Sequence, residues 1–116
     1  MKATARASFI RESPSKLRAV LDMVRGLPVE RAREILRFSP RGATAPVSKV
    51  LESAVANASH NYSLDAAELR IVEAFADQGP VLKRVRPKAR GRAGEIRKPT
   101  AHVTIVVGDG RDEESA

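Results

Sequence analysis

Eight of the seventeen residues in LKRVRPKARGRAGEIRK, positions 82 to 98, are Lys or Arg, and only Glu95 is acidic. The cations are Lys83, Arg84, Arg86, Lys88, Arg90, Arg92, Arg97 and Lys98. The chemistry open to such a stretch is electrostatic rather than covalent. Five guanidinium groups offer planar donor forks that meet phosphate oxygens at two points and stack on bases, while three ammonium groups add point charge. Each phosphate neutralised releases condensed counterions, so about six to eight contacts make affinity fall by several decades across physiological salt. The segment holds no aromatic residue. Recognition of backbone and shape is therefore expected in place of base-by-base readout.

Covalent chemistry has little to work with. His60 and His102 are the only histidines, and the chain has no cysteine. His60 fits a helix end, where positive charge is favoured, and His102 fits a strand face. A ribonuclease built from the two histidines and Lys98 would lack a nucleophile motif, metal-ligand spacing and a phosphate-cradling glycine loop. Gly108-Asp109-Gly110 reads as a turn. The expectation is a protein that is not an enzyme and carries no cofactor and no metal.

Charge is segregated along the chain. Residues 1 to 49 carry eleven basic and four acidic side chains (+7), and residues 50 to 82 carry one and five (−4). Residues 83 to 98 carry eight and one (+7), and residues 99 to 116 carry one and four (−3), which together give the net +7. Two cationic blocks separated by acidic stretches suit a polyanion met through two surfaces. Solvated faces, localisation signals and tails also produce basic runs, but these seldom lie between two well-patterned strands. The absence of an apolar leader near the N-terminus and of any bilayer-length apolar run predicts a soluble, intracellular protein with no membrane partner.

The scaffold that must position these cations is an α+β domain. Residues 2 to 9, KATARASF, alternate with period two and predict a strand with Ala3, Ala5, Ala7 and Phe9 on its inner side. Ser13-Pro14 then opens a helix whose apolar stripe is Leu17, Val20, Leu21 and Val24, stopped by Gly26. A second helix starts near Pro28, with Val29, Ala32, Ile35 and Leu36 on its apolar face, and ends at Ser39-Pro40. A third starts near Thr44 on the stripe Val47, Val50, Leu51, Ala54, Val55 and Ala58, running out around residues 59 to 61. Residues 68 to 76 and 102 to 107 read as strands. The fold expected is three helices packed on a small three-stranded antiparallel sheet with a long extended β-hairpin finger. The single domain 1–116 divides into a globular body (1–76 and 102–108), an extended basic hairpin (77–101) and an acidic frayed tail (109–116).

A hairpin turning near Ala89 sets Ile71 opposite Val107, Phe75 opposite Val103 and Lys83 opposite Glu95. It also sets Arg86 against Arg92 and Lys88 against Arg90, and like charges directly opposite destabilise a strand pair. Each arm of twelve residues would reach about 40 Å, with Val85 and Ile96 nearly its only large apolar residues. Such a ribbon is marginal alone in water and calls for a partner that neutralises it.

Several motifs resemble the bacterial large-subunit ribosomal protein family called L-twenty-two (L-seventeen in eukaryotes), from about Ala5 to Val107. They are SPSKLRAVLDMVRG in the first helix, ILRFSP, KVLESAVANASHN in the third helix, and DQGPVLKRVRPKARGRAGEIRKPTAHVTIVV. The resemblance implies a body seated on 23S-type ribosomal RNA near the peptide exit, in the large subunit of the cytoplasmic ribosome. It implies a hairpin that lines the nascent-peptide tunnel and supports subunit assembly. The partners implied are that RNA, neighbouring ribosomal proteins and the nascent peptide, with macrolide antibiotics binding nearby. Carried onto this chain, the tunnel-lining tip is Arg84, Val85, Arg86, Pro87, Lys88, Ala89, Arg90, Gly91 and Arg92. RNA contacts fall to Lys83, Arg84, Arg86, Lys88, Arg90, Arg92, Arg97 and Lys98 on the finger. On the body they fall to Lys16, Arg18 and Arg25 with Arg6 and Arg11.

The alternative is a DNA architectural protein that grips the minor groove with a basic β-ribbon, Pro87 standing near its apex. Such proteins usually dimerise, and no extra apolar face for a dimer is evident here. If body and finger are separate units, deleting residues 84 to 92 leaves the helical circular-dichroism signal intact. A large loss of that signal would contradict the division.

Overall fold

The computed structural model describes residues 2–40, 42–87 and 93–109, with the backbone alone between 82 and 97. Strand β1 (Lys2–Ile10) leads into three helices, α1 (Pro14–Val24), α2 (Val29–Phe38) and α3 (Thr44–Tyr62). A single turn of tighter helix at Ala66–Glu68 precedes β2 (Arg70–Gln78), β3 (Leu82–Pro87), β4 (Ala93–Lys98) and β5 (Ala101–Gly108). Three strands form one antiparallel sheet in the order β1-β5-β2, and β3 and β4 form a separate two-stranded ribbon. The molecule measures 64 × 25 × 24 Å with a radius of gyration of 17.3 Å, well above the roughly 13 Å of a compact chain this long.

One face of the sheet is built for close helix packing. Its rows across the strands are Ala3–Val107–Ile71, Ala5–Ile105–Ala74 and Ala7–Val103–Ala76. Small residues on the flanking strands let α1 and α3 approach the larger residues of central β5, while α2 packs on the other two helices. The predicted helical stripes are all buried except Ile35, which is half-buried. Ser13 caps α1 as its sequence predicts, its Oγ accepting from the Lys16 N–H. Gly26 takes a left-handed φ of +82° just past the helix. The third helix runs to Tyr62, and Ser63 closes it in the left-handed region at φ +53°. All four aromatic residues, Phe9, Phe38, Tyr62 and Phe75, are exposed, so the core is wholly aliphatic.

Four expectations need correction. Phe9 does not continue the inner face of β1. A bulge between Ala7 and Ile10 puts it at φ +58° and leaves it 64% exposed, its N–H donating to His102 Nδ1 at 3.1 Å. The second long strand begins at Arg70 because Ala66–Glu68 closes a helical turn capped by Asp65. Ile71 does face Val107, but a bulge before Glu73 sets Phe75 against Thr104 and Ala76 against Val103.

The fourth correction is that the finger is not one continuous ladder. The last pair of the body sheet is Gln78–Ala101 and the first pair of the ribbon is Leu82–Lys98. Between them lie Gly79, Pro80 and Val81 on one arm, and Pro99 and Thr100 on the other. The prolines remove ladder donors from both arms, and the unequal lengths shift the register by one residue. Lys83 therefore faces Arg97, Val85 faces Glu95 and Arg86 faces Gly94. The predicted pair Lys88–Arg90, and Arg92, lie outside the described residues.

This root is tied across the break. The Gly79 N–H donates to Thr100 O at 2.9 Å, and the buried Thr100 hydroxyl donates to Pro80 O. A Cβ on residue 79 would stand 2.6 Å from Thr100 Oγ1, so a larger residue here would displace the hydroxyl that donates to Pro80 O.

The outer edge of β2 is covered along its length by a loop and two arginines, and that of β1 is met at one carbonyl. Along β2, the α1–α2 connection bonds first: Gly26 N–H donates to Ile71 O, Ile71 N–H to Leu27 O, and Val29 N–H to Leu69 O just before the strand. Farther on, Arg25 donates through Nε to Ala74 O at 3.0 Å, and Arg18 Nε donates to Ala76 O at 3.1 Å. On β1, Asn57 Nδ2 donates to Thr4 O at 2.9 Å. Arg25→Met is expected to cost about 1–2 kcal/mol by stripping Ala74 O of its charged donor, read as a lower urea midpoint. An unchanged midpoint would remove Arg25 from the fold.

Candidate nucleic-acid interface

The ribbon gives the cationic segment its backbone. Within six residue pairs it brings Lys83 against Arg97 and lays Arg84 and Arg86 on one arm opposite Ile96 and Gly94 on the other. Facing cations in a two-stranded ladder repel, and no helix packs closely on this ribbon. Of the predicted tip, Arg84, Val85, Arg86 and Pro87 belong to β3, whereas Lys88, Ala89, Arg90, Gly91 and Arg92 lie outside the described residues.

On the body, the cations divide by what they already hold, and of the predicted set Arg18 and Arg25 already have partners. Arg18 and Arg25 are turned to the β2 carbonyls, and Arg25 also pairs with Asp22. Arg33 forks onto Glu52 at 2.7 and 2.9 Å, joining α2 to α3, and Arg31 meets Glu34 at 3.3 Å. The structure thus gives four body arginines internal partners. Arg6 is different: it is exposed on the open face of the sheet, in the row Arg6–Thr104–Phe75, with Lys2 and Arg70 two rows away.

Arg11, Lys16 and Lys98 meet at one place. They line a cleft of about 350 Å³ at the root of the finger, together with Glu12, Ser13 and Pro99. Arg11 comes from the β1–α1 connection, Lys16 from the first turn of α1, and Lys98 from the end of β4. All three are exposed. Their sequence positions give no hint that they converge, because Lys98 is brought to the helix by the closing of the finger's root. Sequence reasoning also passed over Gly79 and Thr100, which tie the root of the finger, and Asn57, which holds β1 at Thr4.

Among the described residues no group of His, Cys, Asp or Glu is gathered for a metal ion, and no helix is long and apolar enough to cross a membrane. His102 is engaged structurally, its Nδ1 accepting from the Phe9 N–H and its ring edge-on to Phe9 at 5.0 Å between centroids.

Known proteins share this pattern over almost its full length. The profile described as "Ribosomal protein L22p/L17e" matches residues 5–108. A protein of Trichormus variabilis named "Large ribosomal subunit protein uL22" is 59% identical over 107 residues, covering 92% of this chain and 88% of the relative. Proteins of the same name from Desulfitobacterium hafniense and Chloroflexus aggregans are 54% and 52% identical, over 91% and 97% of this chain and 93% and 99% of their own. From Ala5 to Gly108, then, helices, sheet and ribbon correspond to a single established pattern: the chain belongs to the ribosomal protein L22p/L17e family.

Proposed function

We infer that this protein is a structural component of the large ribosomal subunit that binds ribosomal RNA and catalyses nothing. The observation that carries the reading is the two-stranded ribbon set apart from the core, whose segment holds eight basic residues and one acidic residue. Family membership agrees with it. The relatives named above lend no support to the minor-groove DNA reading, since each carries a ribosomal name.

The division of labour follows from the fold. The body, 1–76 and 102–108, supplies a rigid base, and the ribbon within 77–101 extends charge away from it. Anchoring a cationic segment at both ends lowers the ordering entropy that a free tail would lose on reaching the same RNA. Lys83, Arg84, Arg86, Arg97 and Lys98 contact phosphates from the described ribbon, and Lys88, Arg90 and Arg92 continue the series. Arg84 to Arg92 form the tip that lines the nascent-peptide tunnel, beside the growing chain and near sites of macrolide binding. The surrounding partners are 23S-type RNA and neighbouring ribosomal proteins, and early assembly of the subunit depends on the finger.

The protein is expected to co-sediment with large ribosomal subunits through a high-salt wash. In competition at fixed salt it should prefer large-subunit RNA over bent duplex DNA. Equal or better binding to the DNA would overturn the reading. Removing residues 84 to 92 is expected to impair assembly and widen the tunnel constriction, measured by subunit profiles and nascent-chain accessibility.

A further inference from the structure

We propose that the cleft at the root of the finger is a single-phosphate site, in which Arg11, Lys16 and Lys98 together grip one phosphodiester of the RNA backbone and so fix the direction in which the ribbon leaves the body. The proposal rests on the RNA-binding reading and assigns one site within it.

Three observations support it. First, the cations come from three separate segments and line one cleft with a single acid, Glu12. Gathering like charges around a common space is unfavourable until an anion enters it. Secondly, they stand unpaired among the described residues, whereas Arg18, Arg25, Arg31 and Arg33 have internal partners. Ser13 Oγ already accepts from the Lys16 N–H and lies against Ser15 Oγ, so the ligand-binding groups are the charged side chains rather than the helix cap. Thirdly, a volume of about 350 Å³ is at the small end for ligand sites and has room for one backbone phosphate.

Position gives the site its purpose. Lys98 is the last residue of β4, next to the proline that interrupts the ladder, while Arg11 and Lys16 belong to the body. A phosphate held among them ties ribbon to body beside the stretch where strand pairing is missing. Among the described residues, the Gly79–Thr100 and Thr100–Pro80 hydrogen bonds are what otherwise cross that break.

The test is the salt dependence of binding of the full chain to a large-subunit RNA transcript. Contacts to separate phosphates each contribute about one unit of slope, whereas cations sharing one phosphate contribute about one unit together. The triple variant Arg11→Gln, Lys16→Gln, Lys98→Gln is therefore expected to lose about one unit, and each single variant less than that. A loss near three units would show independent surface contacts and overturn the shared site. An unchanged slope in the triple variant, alongside a reduced slope for Arg84→Gln with Arg86→Gln, would overturn the cleft and leave RNA binding standing. Unchanged slopes in both would overturn RNA binding through these residues altogether. The substituted side chains are exposed and make no bond among the described residues, so the helical signal should match wild type and confirm that the triple variant is folded.

Discussion

The sheet ladder cannot be carried past Gln78 and Ala101, and the rest of the molecule is arranged around that interruption. Pro80 and Pro99 deny donors to both arms, and the arms differ by one residue in length. A ladder continued through this point would have made the cationic arms an extension of the core sheet. Instead they form a ribbon of six pairs, about 20 Å long, joined to the body by the tight contact of Gly79 with Thr100. Charge that would be intolerable beside an aliphatic core is moved away from it.

The same economy governs the arginines of the body. A surface arginine on a basic protein invites assignment to the nucleic acid, yet Arg18 and Arg25 use their donors on the outer carbonyls of β2. An exposed strand edge is a template for pairing with another chain, and covering it with a helix, loop or charge removes the hazard. Here one helix does both tasks: Leu17, Val20, Leu21 and Val24 fill the core, and Arg18 and Arg25 reach sideways to the edge.

Period and capping made most of the body legible. The helices follow from apolar spacing and from Ser13-Pro14, and the order of strands and helices left one simple sheet. What escaped were features set by single inserted residues. The pairing of Ile71 with Val107 is read correctly from matching apolar residues, but the bulge before Glu73 and the uneven root each add one residue to the same arm. The error grows toward the tip and exchanges Glu95 for Arg97 opposite Lys83. Phe9 was misplaced for a related reason, since alternation says nothing of a bulge that turns the chain at that point. Within the interface, the run of cations was plain in one dimension. Which of the helix cations face outward depended on distant carbonyls, and the meeting of Lys98 with Arg11 and Lys16 depended on tertiary closure.

The covering of the β2 margin bears on how two copies of the protein can meet. Along β2 a second copy would find the outer positions at Leu69, Ile71, Ala74 and Ala76 already occupied by the Gly26–Val29 turn, Arg25 and Arg18, while on β1 Asn57 takes the carbonyl of Thr4. Edge-to-edge addition of a strand at β2 is thereby disfavoured. Repulsion between the cationic arms of two copies, each with eight basic residues and one acidic residue from 83 to 98, works in the same direction.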